Sequence, residues 1–387
     1  MNVYALIDCD SFFVSCEQKI NPELKNKPVC VLSNKDGCVV SRSKEAKKMG
    51  VRMGQPYFMA KREFPDAIYV SCHHDLYGEI SQEVMNLLRT FSPKVQVYSI
   101  DEAFVDLTGL TRLYKKNYFK LAEYIKQEIK EKLDIPVSIG ISTTKTLAKL
   151  ASDKAKKTDN GIYLIGKRKI QSVLTKTPVE EIWGIGRNLT TLCRRNGVLS
   201  AYDLVKKDDQ WIDKKMGIHG LEMKHELLGE IVSEIINAEN PPKSIQKTSA
   251  FGIFTSDLDF IKNQLNYHIH NACRKLRKAD CKSKIVGVML RTKDFKVYYD
   301  KQILTSPTSF EMEISDIAFK LLENLYNENV LYRSTGIILE DLWPNKETQL
   351  FLFSDDKIDE KKEKLSKCFD TLESKFGKNI IKIGFTE

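Results

Sequence analysis

Two neighbouring carboxylates, Asp101 and Glu102, lie in the run Ser99-Ile100-Asp101-Glu102-Ala103-Phe104-Val105-Asp106-Leu107, between stretches 95–98 and 103–105 that both read as short strands. Neighbours on a strand face opposite ways, so the two acids can aim at one point only if the backbone turns at residues 99–102. Such a turn makes a hairpin tip that could hold a hard cation through oxygen ligands; an isolated Asp-Glu pair is otherwise a solvated loop tip. A third acid favours the first reading. Val3-Tyr4-Ala5-Leu6-Ile7 has the continuous apolar character of a strand buried on both faces, and it ends in Asp8-Cys9-Asp10. An acid there is costly unless something pairs with it, and a metal is one such partner.

Basic residues could serve the same chemistry. Arg42, Lys44, Lys47 and Lys48 precede the helix stop Gly50, and Lys145, Lys149, Lys154, Lys156 and Lys157 recur along a second helix. Each set reads either as a solvated helix face or as a counter-charge for phosphate. Gly184-Ile185-Gly186-Arg187 reads as a turn between two helices, offering backbone N–H groups to a phosphate at a helix start or simply turning tightly. His268, His270 and Cys273 are close in sequence, but their spacing matches no common zinc pattern.

The elements that must position these groups follow from periodicity. Residues 28–32 and 38–41 read as strands joined by turn chemistry at Ser33-Asn34-Lys35-Asp36-Gly37. Residues 77–91 and 118–133 carry helical apolar spacing, and 137–142 read as another buried strand. The order over 1–142 is the β-α-β-β-α-β pattern of a ferredoxin-like sheet with a subdomain inserted after the first strand. In that sheet the first strand runs beside the central hairpin, so Asp8 should converge with Asp101 and Glu102. In the helix from Lys145, Leu147, Leu150 and Ala151 are expected to face the sheet.

Residues 167–237 read as small and all-helical, and 238–244 (Ala-Glu-Asn-Pro-Pro-Lys-Ser) as a linker. Beyond it a second β-α-β-β-α-β pattern begins, with Arg274, Arg277 and Arg291 among basic positions suited to a polyanion. The apolar run Gln349-Leu350-Phe351-Leu352-Phe353 is either a returning strand or a docking peptide. Leu365, Cys368, Phe369, Leu372 and Phe376 then form one helical stripe, read as core packing.

Composition sets the class. The chain has 387 residues, 42% hydrophobic and 29% charged, with a net charge of +9, which fits a soluble protein of several domains and suits a polyanionic partner. Nine cysteines without a Cys-x-x-Cys pair, behind an N-terminus that lacks a signal-type core, point to free thiols in a reducing compartment. No apolar run is long enough to span a membrane. A cytoplasmic protein with no membrane partner is expected.

Three converging acids and facing lysines suit nucleotidyl transfer, with two metal ions serving the attacking hydroxyl and the leaving phosphates. The motifs resemble those of the Y-family DNA polymerases, and within them the UmuC type. The resemblance is carried by Asp8-Cys9-Asp10-Ser11-Phe12-Phe13, residues 32–39, Glu45-Ala46-Lys47 with Gly50-Val51-Arg52-Met53-Gly54, residues 98–104, residues 144–151, and Trp183-Gly184-Ile185-Gly186. It implies an α+β multidomain fold. The palm would be ferredoxin-like (1–10 and 74–166), with inserted fingers (11–73) and an all-helical thumb containing a helix-hairpin-helix (167–237). A linker (238–245), a little finger (246–345) and a tail (346–387) with a sliding-clamp-binding peptide would follow.

The same resemblance implies error-prone translesion synthesis in the SOS response to DNA damage. Two Mg2+ ions would sit on Asp8, Asp101, Glu102 and the Cys9 carbonyl, with Phe13 as the steric gate that excludes a ribose 2′-hydroxyl. Ser41, Lys47 and Lys156 match triphosphate contacts; Lys44 stands where relatives often carry Tyr, and a phosphate contact is chemically reasonable for it. The Gly184, Gly186 and Arg187 turn, with Arg274, Arg277 and Arg291, would grip primer-template DNA, and Gln349, Leu350, Leu352 and Phe353 would engage a sliding clamp. UmuD-like and RecA-like partners are also implied, through a C-terminal region that in UmuC-type chains continues beyond the equivalent of Glu387. Two other classes compete. A nucleotidyl cyclase would need no thumb or clamp peptide, and an inactive clamp-tethered scaffold would be expected to have lost one of the acids.

Overall fold

The computed structural model describes residues 2–34, 37–237, 242–345 and 356–376. They form two compact units that part at Glu239/Asn240.

Unit 1 begins with β1 (Tyr4–Cys9), α1 (Phe12–Ile20), β2 (Val29–Leu32), β3 (Val39–Arg42), α2 (Lys44–Met49), α3 (Tyr57–Glu63), β4 (Ile68–Ser71) and α4 (His74–Phe91). It continues with β5 (Val95–Val97), β6 (Glu102–Asp106), α5 (Leu110–Leu113), α6 (Tyr118–Leu133), β7 (Val137–Ser142), α7 (Lys145–Ala155) and β8 (Ile162–Leu164). The helices α8 (Ile170–Thr175), α9 (Arg187–Arg195), α10 (Ala201–Val205) and α11 (Asp209–Leu228) close it.

The main sheet has the order β5-β6-β1-β7-β8. Its first four members are antiparallel neighbours in the ferredoxin-like arrangement, and β8 adds a parallel edge that the sequence did not disclose. The strand β1 is buried along its whole length, as its unbroken apolar run requires. On one face, Ile7, Ala5 and Val105 pack against Ile80, Val84 and Leu88 of α4 and Leu121, Ile125 and Ile129 of α6. On the other face α7 approaches closely. A Cβ on Gly140 of β7 would stand 1.9 Å from the backbone nitrogen of Ser152, so only glycine admits the helix there.

Helix α7 serves two cores. Ala148 meets Tyr4, Leu6 and Phe104 of the sheet, whereas Leu147, Leu150 and Ala151 pack with the helices of residues 170–227. The sequence places all three of the latter against the sheet; Ala151 does lie against Gly140 of β7, but Leu147 and Leu150 are taken by the extra helical layer. The buried Glu226 of α11 fastens this layer by accepting from the Thr146 backbone N–H (2.9 Å) and hydroxyl (2.5 Å) at the start of α7. A separate small sheet, β3-β2-β4, has its own core of Cys30, Leu32, Val39, Ala46, Val51 and Ala60.

Unit 2 contains β9 (Ser244–Thr255), α12 (Leu258–Lys278), β10 (Cys281–Thr292), β11 (Val297–Thr308), α13 (Glu311–Leu325), β12 (Tyr332–Pro344) and α14 (Asp356–Phe376). The element order again reads β-α-β-β-α-β, but the antiparallel sheet runs β11-β10-β12-β9, a different strand order from the first unit. Helices α12 and α13 bury Val286, Val288, Leu290, Ile337 and Leu339 on one face.

The apolar stripe of α14 is only partly covered: Leu365 is 40% and Phe376 65% exposed. Asp370 of this helix receives two hydrogen bonds from Arg277 of α12, at 2.9 and 2.7 Å. No helix among the described residues is long and apolar enough to cross a membrane.

Candidate active site

The register of β1 against β6 places Asp8 directly opposite Glu102, so the two side chains share a face at the end of the sheet. The hairpin tip is fixed by its backbone: the N–H groups of Tyr98 and Ser99 both donate to the Glu102 carbonyl, and Cys9 N–H donates to the Asp101 carbonyl. Asp101 stands at the turn and accepts from the Ser99 hydroxyl at 2.5 Å. Asp8 and Glu102 are only 3% and 8% exposed. The Cys9 side chain turns away into the main core, which leaves its backbone beside the acids.

Two lysines of the α7 segment answer these charges. Lys149 and Lys156 lie two helical turns apart, hence on one face. Lys156 Nζ stands 2.6 Å from Asp8 Oδ2, while Lys149 pairs with Glu102 and lies 3.9 Å from Asp8. Burial and the bond to Glu102 push Asp8 up, to about 8, against the pull of Lys156. Burial would raise Glu102 too, but its bonds to Asp8 and Lys149 hold it below its usual value. Lys156 is raised: burial would pull it down, and the Asp8 charge outweighs that. The pair therefore retains a proton and is surrounded by cationic groups.

A cleft of about 310 Å³ opens over this pair. Its lining brings together Asp8, Cys9, Phe13, Ser41, Lys47, Asp101, Glu102 and Lys156, residues drawn from five separate stretches of chain. Phe13 follows Ser11, whose left-handed φ of 47° turns the chain from β1 into α1. Ser11, Phe12, Val40, Arg42 and Met53 complete the lining; Arg42 stood in the basic set read from the sequence, whereas Val40 and Met53 carried no role there, because a motif does not show which side chains face inward.

Lys44 does not join this cleft. It lines a second cavity of about 250 Å³ together with Asp10, Lys25, Lys130 and Asp134, which meets the first at Ser11. The cause is local: Ser43, buried at the N-cap of α2 and bonded to Ala46 N–H, Val29 N–H and the Lys27 carbonyl, directs Lys44 away from Ser41.

The Gly184 turn has φ +95°, and Gly186 is the N-cap of α9, with Arg187 exposed at its first position. A 3-10 turn, Val179–Glu181, precedes it where a full helix was expected. Trp183 locks the turn to the acidic hairpin, donating to the Tyr98 hydroxyl at 3.0 Å and packing on Tyr98 and Phe104.

In unit 2 the three arginines separate. Arg291 pairs with Ser334 and Val297 on the sheet face opposite α12 and α13. Arg274 belongs to the helical layer. Arg277 is a correction: its guanidinium, only 11% exposed, is taken up by Asp370 and Glu311, so it serves as a structural ion-pair centre and is not presented to DNA. Residues Gln349, Leu350, Leu352 and Phe353 lie outside the described residues.

The impB/mucB/samB family model matches residues 7–153, and the model of that family's C-terminal domain matches 242–352. Protein UmuC of Salmonella typhimurium is 32% identical over 391 residues, covering 98% of this chain and 92% of its own. The chain belongs to the impB/mucB/samB family. DNA polymerase IV of Oceanobacillus iheyensis, 32% identical over 97% of this chain and 90% of its own, is a further member-like relative. Among solved structures, a Y-family DNA polymerase chimera of Dbh and Dpo4 superposes with a TM-score of 0.75 at 29% identity, over 88% of this chain and 99% of the other. The fold is that of a Y-family DNA polymerase.

Proposed function

We infer that this protein is a DNA-directed DNA polymerase of translesion synthesis, adding deoxynucleotides to a primer 3′ end opposite damaged template. The observation that carries this reading is the register pairing of Asp8 with Glu102 on the floor of a cleft that also gathers Asp101, Phe13, Ser41, Lys47 and Lys156.

The donor set fits divalent metal. Three carboxylates and a main-chain carbonyl are hard oxygen ligands, and the retained proton and lysine partners mark a place that demands positive charge. Asp8, Asp101, Glu102 and the Cys9 carbonyl would hold two Mg2+ ions, whose chemistry when bound is to acidify the primer hydroxyl and neutralise the departing pyrophosphate. The protein's own groups do the rest. Ser41, Lys47 and Lys156 bind and orient the triphosphate, and Lys156 is freed for it when its carboxylate partner is otherwise satisfied. Phe13 underlies the sugar and leaves no room for a 2′-hydroxyl. The Gly184–Arg187 turn and Arg291 hold the DNA backbone, and residues 349–353 engage a sliding clamp.

Primer extension by the purified chain on a template with an abasic site, in Mg2+, tests this directly. Asp101→Ala or Glu102→Ala should abolish extension while DNA binding stays within a few fold; extension at the normal rate by either variant would overturn the metal-site assignment. Deleting residues 349–353 should remove only the clamp-stimulated increment. Loss of basal synthesis instead would mark that segment as part of the fold.

A further inference from the structure

The ring of Phe13 has a built support behind it. It stacks on Tyr77 of α4, with centroids 4.6 Å apart and planes at 16°, and meets His74 edge-on at 6.1 Å. Tyr77 is fully buried, and its hydroxyl donates to Glu17 Oε1 at 2.5 Å. Glu17 lies one helical turn beyond Phe13 on α1, is itself 6% exposed, and its Oε1 also meets His73 Nδ1 at 2.7 Å. Residues 13 and 17 of α1 thus grip both the ring and the hydroxyl of one tyrosine from α4.

An apolar core does not need this arrangement. Burying a carboxylate is unfavourable unless it is bonded, and Leu and Phe would fill the same space without that cost. A ring held only by packing between two helices can slide, whereas one pinned at its hydroxyl cannot. Burial and the Glu17 carboxylate raise the Tyr77 phenol, so it stays a donor at every working pH.

We propose that Glu17 and Tyr77 are positioning residues that fix the plane of Phe13 and so set how strictly a ribose 2′-hydroxyl is rejected, with His73 closing the network at the surface. This rests on the reading of Phe13 as the sugar gate. A misplacement of about 1 Å in such a contact is enough to change a fit.

The test is single-nucleotide incorporation with matched deoxy- and ribonucleotides, giving the ratio of kcat/KM for the two. Tyr77→Phe keeps the stack and loses the bond, and Glu17→Leu removes the acceptor; each should lower the ratio about threefold to tenfold, the worth of one buried hydrogen bond. Glu17→Gln, which still offers an acceptor, should restore most of it. Adding Tyr77→Phe to Phe13→Ala should lower the ratio no further, because the effect passes through the ring. An unchanged ratio in both Tyr77→Phe and Glu17→Leu, with Phe13→Ala losing discrimination, overturns the proposal and leaves the gate standing. Full discrimination in Phe13→Ala overturns the gate and the proposal together. A shared fall in both kcat/KM values with a constant ratio also overturns it, since that is the mark of a loosened fold.

Discussion

At the residue scale, the unusual feature is a pair of buried carboxylates in register, Asp8 and Glu102, each paired with a lysine of its own. Asp8 is raised from 3.8 to about 8, so at neutral pH it carries its proton in metal-free protein. Metal binding must therefore expel a proton. The enthalpy of Mg2+ or Mn2+ titration at pH 7 is expected to vary with the buffer's ionisation enthalpy, and apparent metal affinity to rise with pH up to about 8. A buffer-independent enthalpy would contradict this. The sign for stability is the reverse. An acid whose folded pKa exceeds its unfolded one stabilises fully below the unfolded value, 3.8, and that contribution fades as pH climbs toward 8. Glu102, held low, works the other way: its contribution is present above 4.5 and lost as pH falls through its folded value.

Lys149 makes a second residue-scale prediction. Its side chain is 16% exposed and that of its partner Glu102 is 11%. Lys149→Met leaves a buried charge short of one cation, and the loss should fall below the roughly 3–5 kcal/mol of a broken buried pair because Lys156 remains. Denaturant melts should show the loss without metal, and saturating Mg2+ should reduce it.

At the scale of elements, α7 is the part on which the site depends, because it carries Lys149 and ends at its C-cap Lys156 while touching the sheet on one side and α11 on the other. Its closeness to β7 rests on Gly140. A methyl there meets backbone, not a movable side chain, so Gly140→Ala must push the helix outward at a cost of about 1–3 kcal/mol. Lys149 and Lys156 would move with it. The expected outcome is a lower Tm together with a fall in primer extension larger than the stability loss explains; a variant with wild-type extension and Tm would show that the helix can yield.

For the whole molecule, the net charge of +9 predicts DNA binding that weakens steeply with salt. The two arginines of unit 2 should behave differently. Arg291→Ala, on the open sheet face, should weaken DNA binding and reduce the salt slope by about one. Arg277→Ala should instead lower the melting temperature of unit 2 by uncoupling α12 from Asp370 of α14, with the salt slope unchanged. Salt-dependent fluorescence anisotropy and calorimetric melts of both variants separate the two roles.

Much of this protein was written in one dimension. The buried run 3–7 ending in Asp8, the hairpin acids at 101 and 102, and the β-α-β-β-α-β order are local patterns, and each survives in the fold because period and turn chemistry act over a few residues. The convergence of Asp8 with Glu102 followed from that order. Other features had no local signature. The β8 edge, the different strand order of unit 2 and the dual core of α7 depend on which elements meet, and a helical stripe does not name its partner. Arg277 read as a basic helix end like Arg274, and only the arrival of Asp370 from 93 residues away made it a half-buried ion-pair centre. A phosphate contact for Lys44 was chemically reasonable beside Lys47, but the Ser43 cap sends Lys44 to another cavity. The support of Phe13 by Tyr77 and Glu17 joins helices some 60 residues apart. Sequence sets residue chemistry and local geometry; which charges face each other is decided by packing, because only packing fixes distances between residues remote along the chain.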